Sequence, residues 1–259
     1  MEMNPVDLYY EEQGQGIPAI FLHGFPFDHS IWEPLIPLLK NDARMILPDL
    51  RGFGRSPAVG DSYTMRLQAE DVAHLMDRLE IEKAVLVGHS MGGYITLAFA
   101  QAYPDRLLGL GFVATQAGAD SPERRQSRLK TAEMVTHKGA RVVASDMVNT
   151  LTNKKELLQP IHELIMKAQP AGIVGALKGM ADRHDLTDEL SHMNVPAVVI
   201  AGASDQLISR DRVETMAQML PKGWLVEIPN AGHMLMMEDP QAVAAHLQQL
   251  FKMAEEVKN

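Results

Sequence analysis

A serine between two glycines stands at the centre of the most informative motif in this chain. Gly88, Ser90 and Gly92 form a G-x-S-x-G pattern between the apolar segments 84–87 and 94–100. The first segment predicts a buried parallel strand and the second a buried helix. On a sharp strand-to-helix turn a serine exposes its hydroxyl, and the flanking glycines remove side chains that would collide. The pattern therefore predicts Ser90 as a nucleophile, the alternative being an incidental serine in a glycine-rich turn.

A serine hydroxyl is a weak nucleophile that needs a histidine base, which a carboxylate in turn orients. Asp205 follows the predicted strand 195–201, and His233 follows the predicted strand 224–228. The order Ser, Asp, His is the one expected when each residue emerges from a different strand end. Asp120 is the competing carboxylate, since it also follows an apolar run. A purely structural role for Asp205, as the cap of the next helix, is the other alternative.

Acyl transfer also needs hydrogen-bond donors for the oxyanion that forms on the attacked carbonyl. One donor is expected from the backbone N–H of Met91, the residue after the nucleophile. The second is expected from the loop after the predicted strand 19–22, where the N–H of Phe25 is the candidate. His23 and His89 lie close to these residues, and we predict that they make structural hydrogen bonds.

Composition excludes several classes of function. The chain has 259 residues, 46% of them hydrophobic, and a formal charge of −9, which argues against binding to nucleic acid or anionic membranes. With no cysteine there is no disulfide framework and no thiolate zinc site. Residues 1–16 lack the features of a signal peptide, and no apolar stretch has the length of a membrane span. We therefore expect a cytoplasmic protein without membrane or nucleic-acid partners.

Motifs for cofactors and metals are weak. Segment 49–56 contains one G-x-G but no third glycine, so it fails as a dinucleotide fingerprint. The histidines show neither H-x-x-x-H nor H-E-x-x-H spacing. We expect no cofactor and no metal. Methionines flank the predicted site and also occur in the helical stretch that follows, and together they indicate a soft apolar pocket. The first group is Met91, Met234, Met236 and Met237, and the second is Met134, Met147, Met166 and Met180.

The elements that must position these residues alternate between strand-like and helix-like segments, with one interruption. Residues 118–188 show helical periodicity without a convincing strand. This favours a helical cap, or lid, inserted into a core domain made of residues 1–117 and 189–259. Three additional peripheral helices are the plainer alternative.

Two segments of the first half allow more detailed predictions. Residues 6–12 alternate enough for an edge strand, and Gly14 and Gly16 should end it. Residues 30–40 predict a short helix with Ser30 as its N-cap, although its prolines limit its regularity.

Taken together, the motifs resemble the α/β-hydrolase superfamily, in the branch with a helical cap. That branch includes small carboxylesterases, 3-oxoadipate enol-lactonases, cofactor-free haloperoxidases and C–C bond hydrolases. The resemblance covers nearly the whole chain. The serine in the G-x-S-x-G turn argues against the haloalkane dehalogenases and epoxide hydrolases, which have aspartate at that position. The segments that carry it are 21–26, 48–56, 88–93, 202–205 and 232–233.

The resemblance implies an α/β fold with a mostly parallel twisted sheet flanked by helices. It implies a catalytic triad of Ser90, Asp205 and His233. It also implies that Phe25 and Met91 form the oxyanion hole.

The expected activity is hydrolysis of carboxylic esters or lactones with small to medium apolar acyl groups, through an acyl-enzyme on Ser90. The expected partner is therefore a small-molecule substrate, and the protein would be a monomer or a homodimer. Two alternatives use the same pocket: a signalling protein that senses a ligand with little turnover, and a cofactor-free perhydrolase or haloperoxidase. The cap carries no recognisable motif that would name the substrate.

Overall fold

One seven-stranded sheet forms the centre of the computed structural model, which describes residues 4–258. The strands are β1 (Tyr10–Gln13), β2 (Ile17–Leu22), β3 (Ala43–Pro48), β4 (Ala84–His89), β5 (Leu107–Val113), β6 (Ala197–Gly202) and β7 (Gly223–Ile228). Their order across the sheet is β1-β3-β2-β4-β5-β6-β7. Strand β1 pairs antiparallel with β3, and all other neighbours are parallel. Parallel order places the ends of β2, β4, β5, β6 and β7, and the loops that follow them, along one edge of the sheet.

Helices flank this sheet and connect its parallel strands. The helices are α1 (Ile36–Leu39), α2 (Met65–Arg78), α3 (Met91–Ala102), α4 (Pro122–Lys138), α5 (Arg141–Leu151), α6 (Lys155–Lys167), α7 (Pro170–Ala181), α8 (Arg210–Met219), α9 (Leu235–Glu238) and α10 (Pro240–Lys258). Helix α3 packs against β4, and α10 packs against β5 and β6. Within residues 4–258 no helix combines the length and apolarity that crossing a bilayer requires. The predicted α/β architecture, a mostly parallel sheet flanked by helices, is confirmed.

Two local predictions need correction. The edge strand is β1, later than the predicted 6–12, because its pairing partners lie at the end of β3. The predicted helix 30–40 is a 3-10 helix over His29–Leu35 followed by α1, since the prolines remove N–H donors that an α-helix needs. Its N-cap is Asp28 rather than Ser30, because Asp28 Oδ1 accepts the Ser30 N–H at 3.0 Å.

Between β5 and β6 the chain is helical. Residues 114–196, all of which the structure describes, contain α4 to α7 and no strand. Helix α4 packs along α7, and α5 packs against α6. We propose that residues 118–188 form the cap, and we call them the cap segment.

Glycines on one face of α7 bring this helix onto the core. A side chain on Gly172 would collide with the carbonyl of Gly52, and one on Gly179 would collide with the carbonyl of Tyr63. Gly175 packs in the same way against the Tyr63 ring. The spacing i, i+3, i+7 places all three glycines on one side of the helix. Helix α7 therefore packs with its backbone close to the loop after β3.

Candidate active site

The turn between β4 and α3 holds Ser90 in an unusual conformation. Ser90 has φ 49° and ψ −110°, a region that residues with a Cβ rarely adopt. Its N–H donates to the Val113 carbonyl at 3.0 Å, and its own carbonyl accepts from the Gly93 N–H at 2.9 Å. The Thr115 hydroxyl donates to the same carbonyl at 2.8 Å. These three hydrogen bonds stabilise the unusual backbone conformation and hold Ser90 at the end of the central strand, β4.

Glycine is required at three positions around this turn. A Cβ on Gly92 would meet the carbonyl of Leu22, and a Cβ on Gly88 would meet the carbonyl of Gly92. A Cβ on Gly93 would collide with the side chain of Thr115. Larger residues at these positions would therefore collide with the backbone of β2, with the backbone of α3 and with a side chain that follows β5.

The side chains of His233 and Asp205 are hydrogen-bonded to each other. His233 Nδ1 lies 2.9 Å from Asp205 Oδ2, and the side chains are 2% and 3% exposed. Burial raises the pKa of the Asp205 carboxyl, but His233 and backbone N–H groups outweigh it and hold that pKa below its ordinary value. An ionised Asp205 accepts a hydrogen bond from the N–H at His233 Nδ1, and the tautomer with its hydrogen on Nδ1 leaves Nε2 free to accept a proton.

Backbone hydrogen bonds fix the loops that carry these two side chains. We call residues 229–234, which follow β7, the histidine loop. The Ser204 N–H donates to the Ala231 carbonyl at 2.8 Å, joining the loop after β6 to the histidine loop. The N–H groups of His233 and Met234 donate to the carbonyl of Leu151 at 3.0 and 3.3 Å. Since Leu151 ends α5, the histidine loop is bonded both to the core and to the cap segment.

Ser90 and His233 line one cavity of about 290 Å³. Its apolar wall includes two methionines of the cap segment, Met147 and Met180, and two residues after β6, Leu207 and Ile208. The four methionines that flank the site in sequence do not line the cavity. Its wall also carries charged residues, which the expectation of an apolar pocket did not include; they are Asp120, Arg124, Arg128 and Arg212.

The two predicted oxyanion donors lie near Ser90. Phe25 lines the cavity and belongs to the loop after β2. Met91 is the first residue of α3, and the N–H groups of the first helical turn have no carbonyl partner within the helix. Within residues 4–258 no hydrogen bond from the Phe25 N–H is seen. We propose both N–H groups as the donors of the oxyanion hole.

His23 and His89 hydrogen-bond the backbone, as the sequence predicted. His23 Nε2 accepts the Leu50 N–H at 2.9 Å, and its Nδ1 donates to the Gly24 carbonyl at 3.0 Å. His89 Nε2 donates to the His233 carbonyl at 3.0 Å. Burial lowers the pKa of His23, and burial together with His233 lowers that of His89 well below its ordinary value. Both imidazoles are neutral parts of the scaffold.

Asp120, the competing carboxylate, is bonded elsewhere. Its oxygens lie 2.5 Å from Arg128 Nε and 2.7 Å from Arg183 Nη1, and the Asp120 and Arg183 side chains are 4% and 3% exposed. Asp205 therefore holds the position next to His233. Sequence reasoning singled out none of the cavity arginines. The available signal was the spacing of Arg124 and Arg128, since residues i and i+4 share a helix face.

Asp28, His29 and Asp49 are close enough to hold a metal ion, with ligand atoms within 4.8 Å of one another. Their atoms already have partners in the protein. His29 Nδ1 lies 2.6 Å from Asp49 Oδ1, Asp49 Oδ2 accepts the Arg55 N–H at 2.8 Å, and Asp28 caps the helix that follows. The hydrogen bond to Asp49 raises the pKa of His29. These hydrogen bonds explain the cluster without a metal ion, since they hold the loop after β3 in place.

Comparison with known proteins places these observations in a family. A model described as "Alpha/beta hydrolase family" matches residues 19–246. A thermophilic esterase from Thermogutta terrifontis, solved with malate bound, has a TM-score of 0.92 and 37% identity over 95% of this chain and 93% of that one. The enol-lactonase from Burkholderia xenovorans has a TM-score of 0.88 and 25% identity, covering 95% and 96%. The bifunctional esterase/perhydrolase from Acinetobacter calcoaceticus is 26% identical over 253 residues, 88% of this chain and 90% of that protein.

The extent of these matches confirms both the resemblance predicted from the motifs and the fold that it implied. Esterases and enol-lactonases are among the relatives. The chain belongs to the alpha/beta hydrolase family.

Proposed function

We propose that this protein is a serine hydrolase that cleaves carboxylic esters or lactones through an acyl-enzyme on Ser90. The observation that carries the proposal is that Ser90 and His233 line one cavity while His233 is hydrogen-bonded to Asp205. A hydroxyl, an imidazole and a carboxylate in this order are the groups that acyl transfer needs. The esterases and enol-lactonases among the relatives support the same reaction class.

Acylation begins when His233 Nε2 takes the proton from the Ser90 hydroxyl as its oxygen attacks the ester carbonyl. The negative charge moves to the carbonyl oxygen, where the N–H groups of Phe25 and Met91 stabilise it. His233 then gives the proton to the leaving alkoxide, and the alcohol departs. Asp205 keeps Nδ1 protonated and stabilises the imidazolium that forms between these steps.

Deacylation repeats the sequence with water as the nucleophile. His233 takes a proton from water as the water oxygen attacks the acyl carbonyl on Ser90. The same two N–H groups stabilise the second oxyanion. His233 returns the proton to the Ser90 oxygen, which releases the carboxylic acid.

The cavity suits an acyl group of small to medium size. Its volume of about 290 Å³ is at the lower end of ordinary ligand pockets. Met147, Leu207 and Ile208 provide an apolar surface for a hydrocarbon chain. These contacts support the expected preference for acyl groups with an apolar portion.

The direct test replaces the nucleophile. We expect Ser90→Ala to lower kcat on p-nitrophenyl butyrate by at least about 10⁴-fold, because no other group can form the acyl-enzyme. A fluorophosphonate should label the wild type at Ser90 and leave the variant unlabelled. The matched control is Ser145→Ala, on the exposed side of α5, which should keep full activity and labelling. Undiminished turnover by Ser90→Ala, with an unchanged circular dichroism spectrum, would contradict the proposal.

The same assay separates the two alternatives that share the triad. Repeated turnover distinguishes a hydrolase from a ligand sensor, for which acylation would stop after one cycle. Hydrogen peroxide belongs in the assay because one relative is a bifunctional esterase/perhydrolase. Peracid formation that also depends on Ser90 would add perhydrolysis to the activity.

A further inference from the structure

Among the residues that the structure describes, one arginine in the wall of the catalytic cavity has a side chain without a partner. Arg128 is bonded to Asp120, and Arg212 donates to the side-chain oxygen of Gln116. The guanidinium of Arg124 makes no hydrogen bond or ion pair within residues 4–258, although its backbone N–H donates to Ser121. Its five N–H donors therefore point to solvent and to the cavity.

The charges around Arg124 leave the cavity positive. Of the residues that line it, Asp120 is the one carboxylate, and Arg128 and Arg183 already share it. Arg124 and Arg212 add two further positive charges to the wall. Desolvation, followed by the charge of Arg128, lowers the pKa of Arg124. This positive wall occurs in a chain whose net charge is −9, so it does not follow from overall composition.

Arg124 also shares the cavity of Ser90 and borders a second space beside it. Both residues line the catalytic cavity, and Arg124 lines a second cavity of about 220 Å³. Phe25, Met147 and Leu207 line both cavities, so the two spaces share one wall. A short chain that runs from the serine to Arg124 would therefore contact apolar groups along its length and a guanidinium beyond them.

We infer that Arg124 binds a carboxylate carried by the substrate, so that the preferred substrates are short esters with one free carboxylate group. This inference rests on the proposed ester hydrolysis at Ser90. A guanidinium matches a carboxylate with two parallel N–H···O bonds, which fix orientation as well as distance. Holding the far end of the substrate in this way would orient the reacting carbonyl toward Ser90.

Two isomeric esters show which side of the ester bond carries the recognised group. Monomethyl glutarate has its carboxylate on the acyl side, and 4-acetoxybutanoate has it on the alcohol side. The corresponding carboxamides, methyl glutaramate and 4-acetoxybutanamide, have nearly the same shape without the charge. The quantity measured is the ratio of kcat/KM for each carboxylate ester to kcat/KM for its amide.

We expect the wild type to favour the carboxylate member of at least one pair, and Arg124→Met to reduce that ratio by about tenfold. We expect a change of this size because Arg124 is exposed to solvent, which places the free energy of its charge-assisted hydrogen bonds at the lower end of their usual range. The loss should appear mainly in KM, and Arg124→Lys should restore part of it. Lys130→Met removes a positive charge from the same helix, away from the cavity, and should leave the ratio unchanged.

The outcomes distinguish this inference from the proposed function. If the amide esters are cleaved in a Ser90-dependent way and Arg124→Met keeps the wild-type ratio, the inference is wrong while the proposed function stands. If no ester is cleaved, the proposed function fails, and calorimetric titration with glutarate tests the site directly. Binding that Arg124→Met abolishes would support a carboxylate site, and absence of binding to the wild type would overturn it.

Discussion

Asp205 shows how one side chain can serve both the fold and the proposed chemistry. Its Oδ2 accepts from His233, while its Oδ1 accepts the N–H groups of Leu207 and Ile208 at 2.8 and 3.2 Å. The sequence left open whether Asp205 orients a histidine or caps the next helix. The structure shows the bond to His233, and the bonds of Oδ1 close a turn ahead of that helix. Helix α8 begins later, with Ser209 as its N-cap. The two backbone hydrogen bonds thus hold the Asp205 carboxylate in the position from which it bonds His233.

Asp205→Asn should separate these two roles. The amide oxygen can still accept the two backbone N–H groups, so the turn should persist. The amide no longer stabilises the imidazolium or enforces its tautomer, and kcat should fall by roughly 10⁴-fold. Steady-state kinetics on p-nitrophenyl butyrate measure this fall, and Asp211→Asn in the first turn of α8 is the control. A variant within about tenfold of the wild-type rate would remove Asp205 from the proposed triad.

At the scale of elements, the sequence predicts best those structures that depend on neighbouring residues. Strands β2 to β7 can be predicted because they are short apolar runs between turn residues. The turn at Ser90 is readable because its glycines stand at fixed spacing. The contact of α7 with the core was not predicted, although the glycine spacing is visible, since its partners Gly52 and Tyr63 are distant in sequence.

The strand-to-helix turn makes a quantitative prediction. Gly92→Ala should lower the free energy of unfolding by about 3 kcal/mol or more, because the new methyl group meets the carbonyl of Leu22 within the packed core. Gly139→Ala, after α4, should cost only about 1–2 kcal/mol. Gly139 has φ 73°, but its added Cβ would meet no atom within 4 Å. Urea unfolding of both variants tests this order, and equal losses would contradict the steric argument.

At the scale of the whole molecule, one ion-pair network connects the beginning, the first helix and the end of the cap segment. Asp120 follows β5, Arg128 belongs to α4, and Arg183 follows α7. The sequence indicated the helical character of this segment but not its role in the cavity. Which helix faces turn inward depends on packing between α4 and α7 and on the core below them. The charged cavity wall is therefore a tertiary property, and the apolar pocket expected from methionine content was incomplete.

Asp120→Asn should destabilise the protein by about 3–5 kcal/mol, because it leaves the buried Arg183 and the largely buried Arg128 without their counter-charge. The control is Asp182→Asn, which removes an ion pair with Arg125 whose two side chains are about half exposed. Such a surface pair contributes at most about 1 kcal/mol. Chemical denaturation measures both losses. Comparable values for the two variants would show that the ion-pair network does not stabilise the cap segment.

The bond between Leu151 and the histidine loop has a consequence for how this protein can change its substrate. The acceptor is a main-chain carbonyl, so the residue type at position 151 does not determine whether the bond exists. Side chains of the cap segment that face the cavity can therefore be exchanged while the Leu151 carbonyl still holds the loop that carries His233. Chimeras that keep the backbone at the end of α5 would then change the residues that contact a substrate without moving His233.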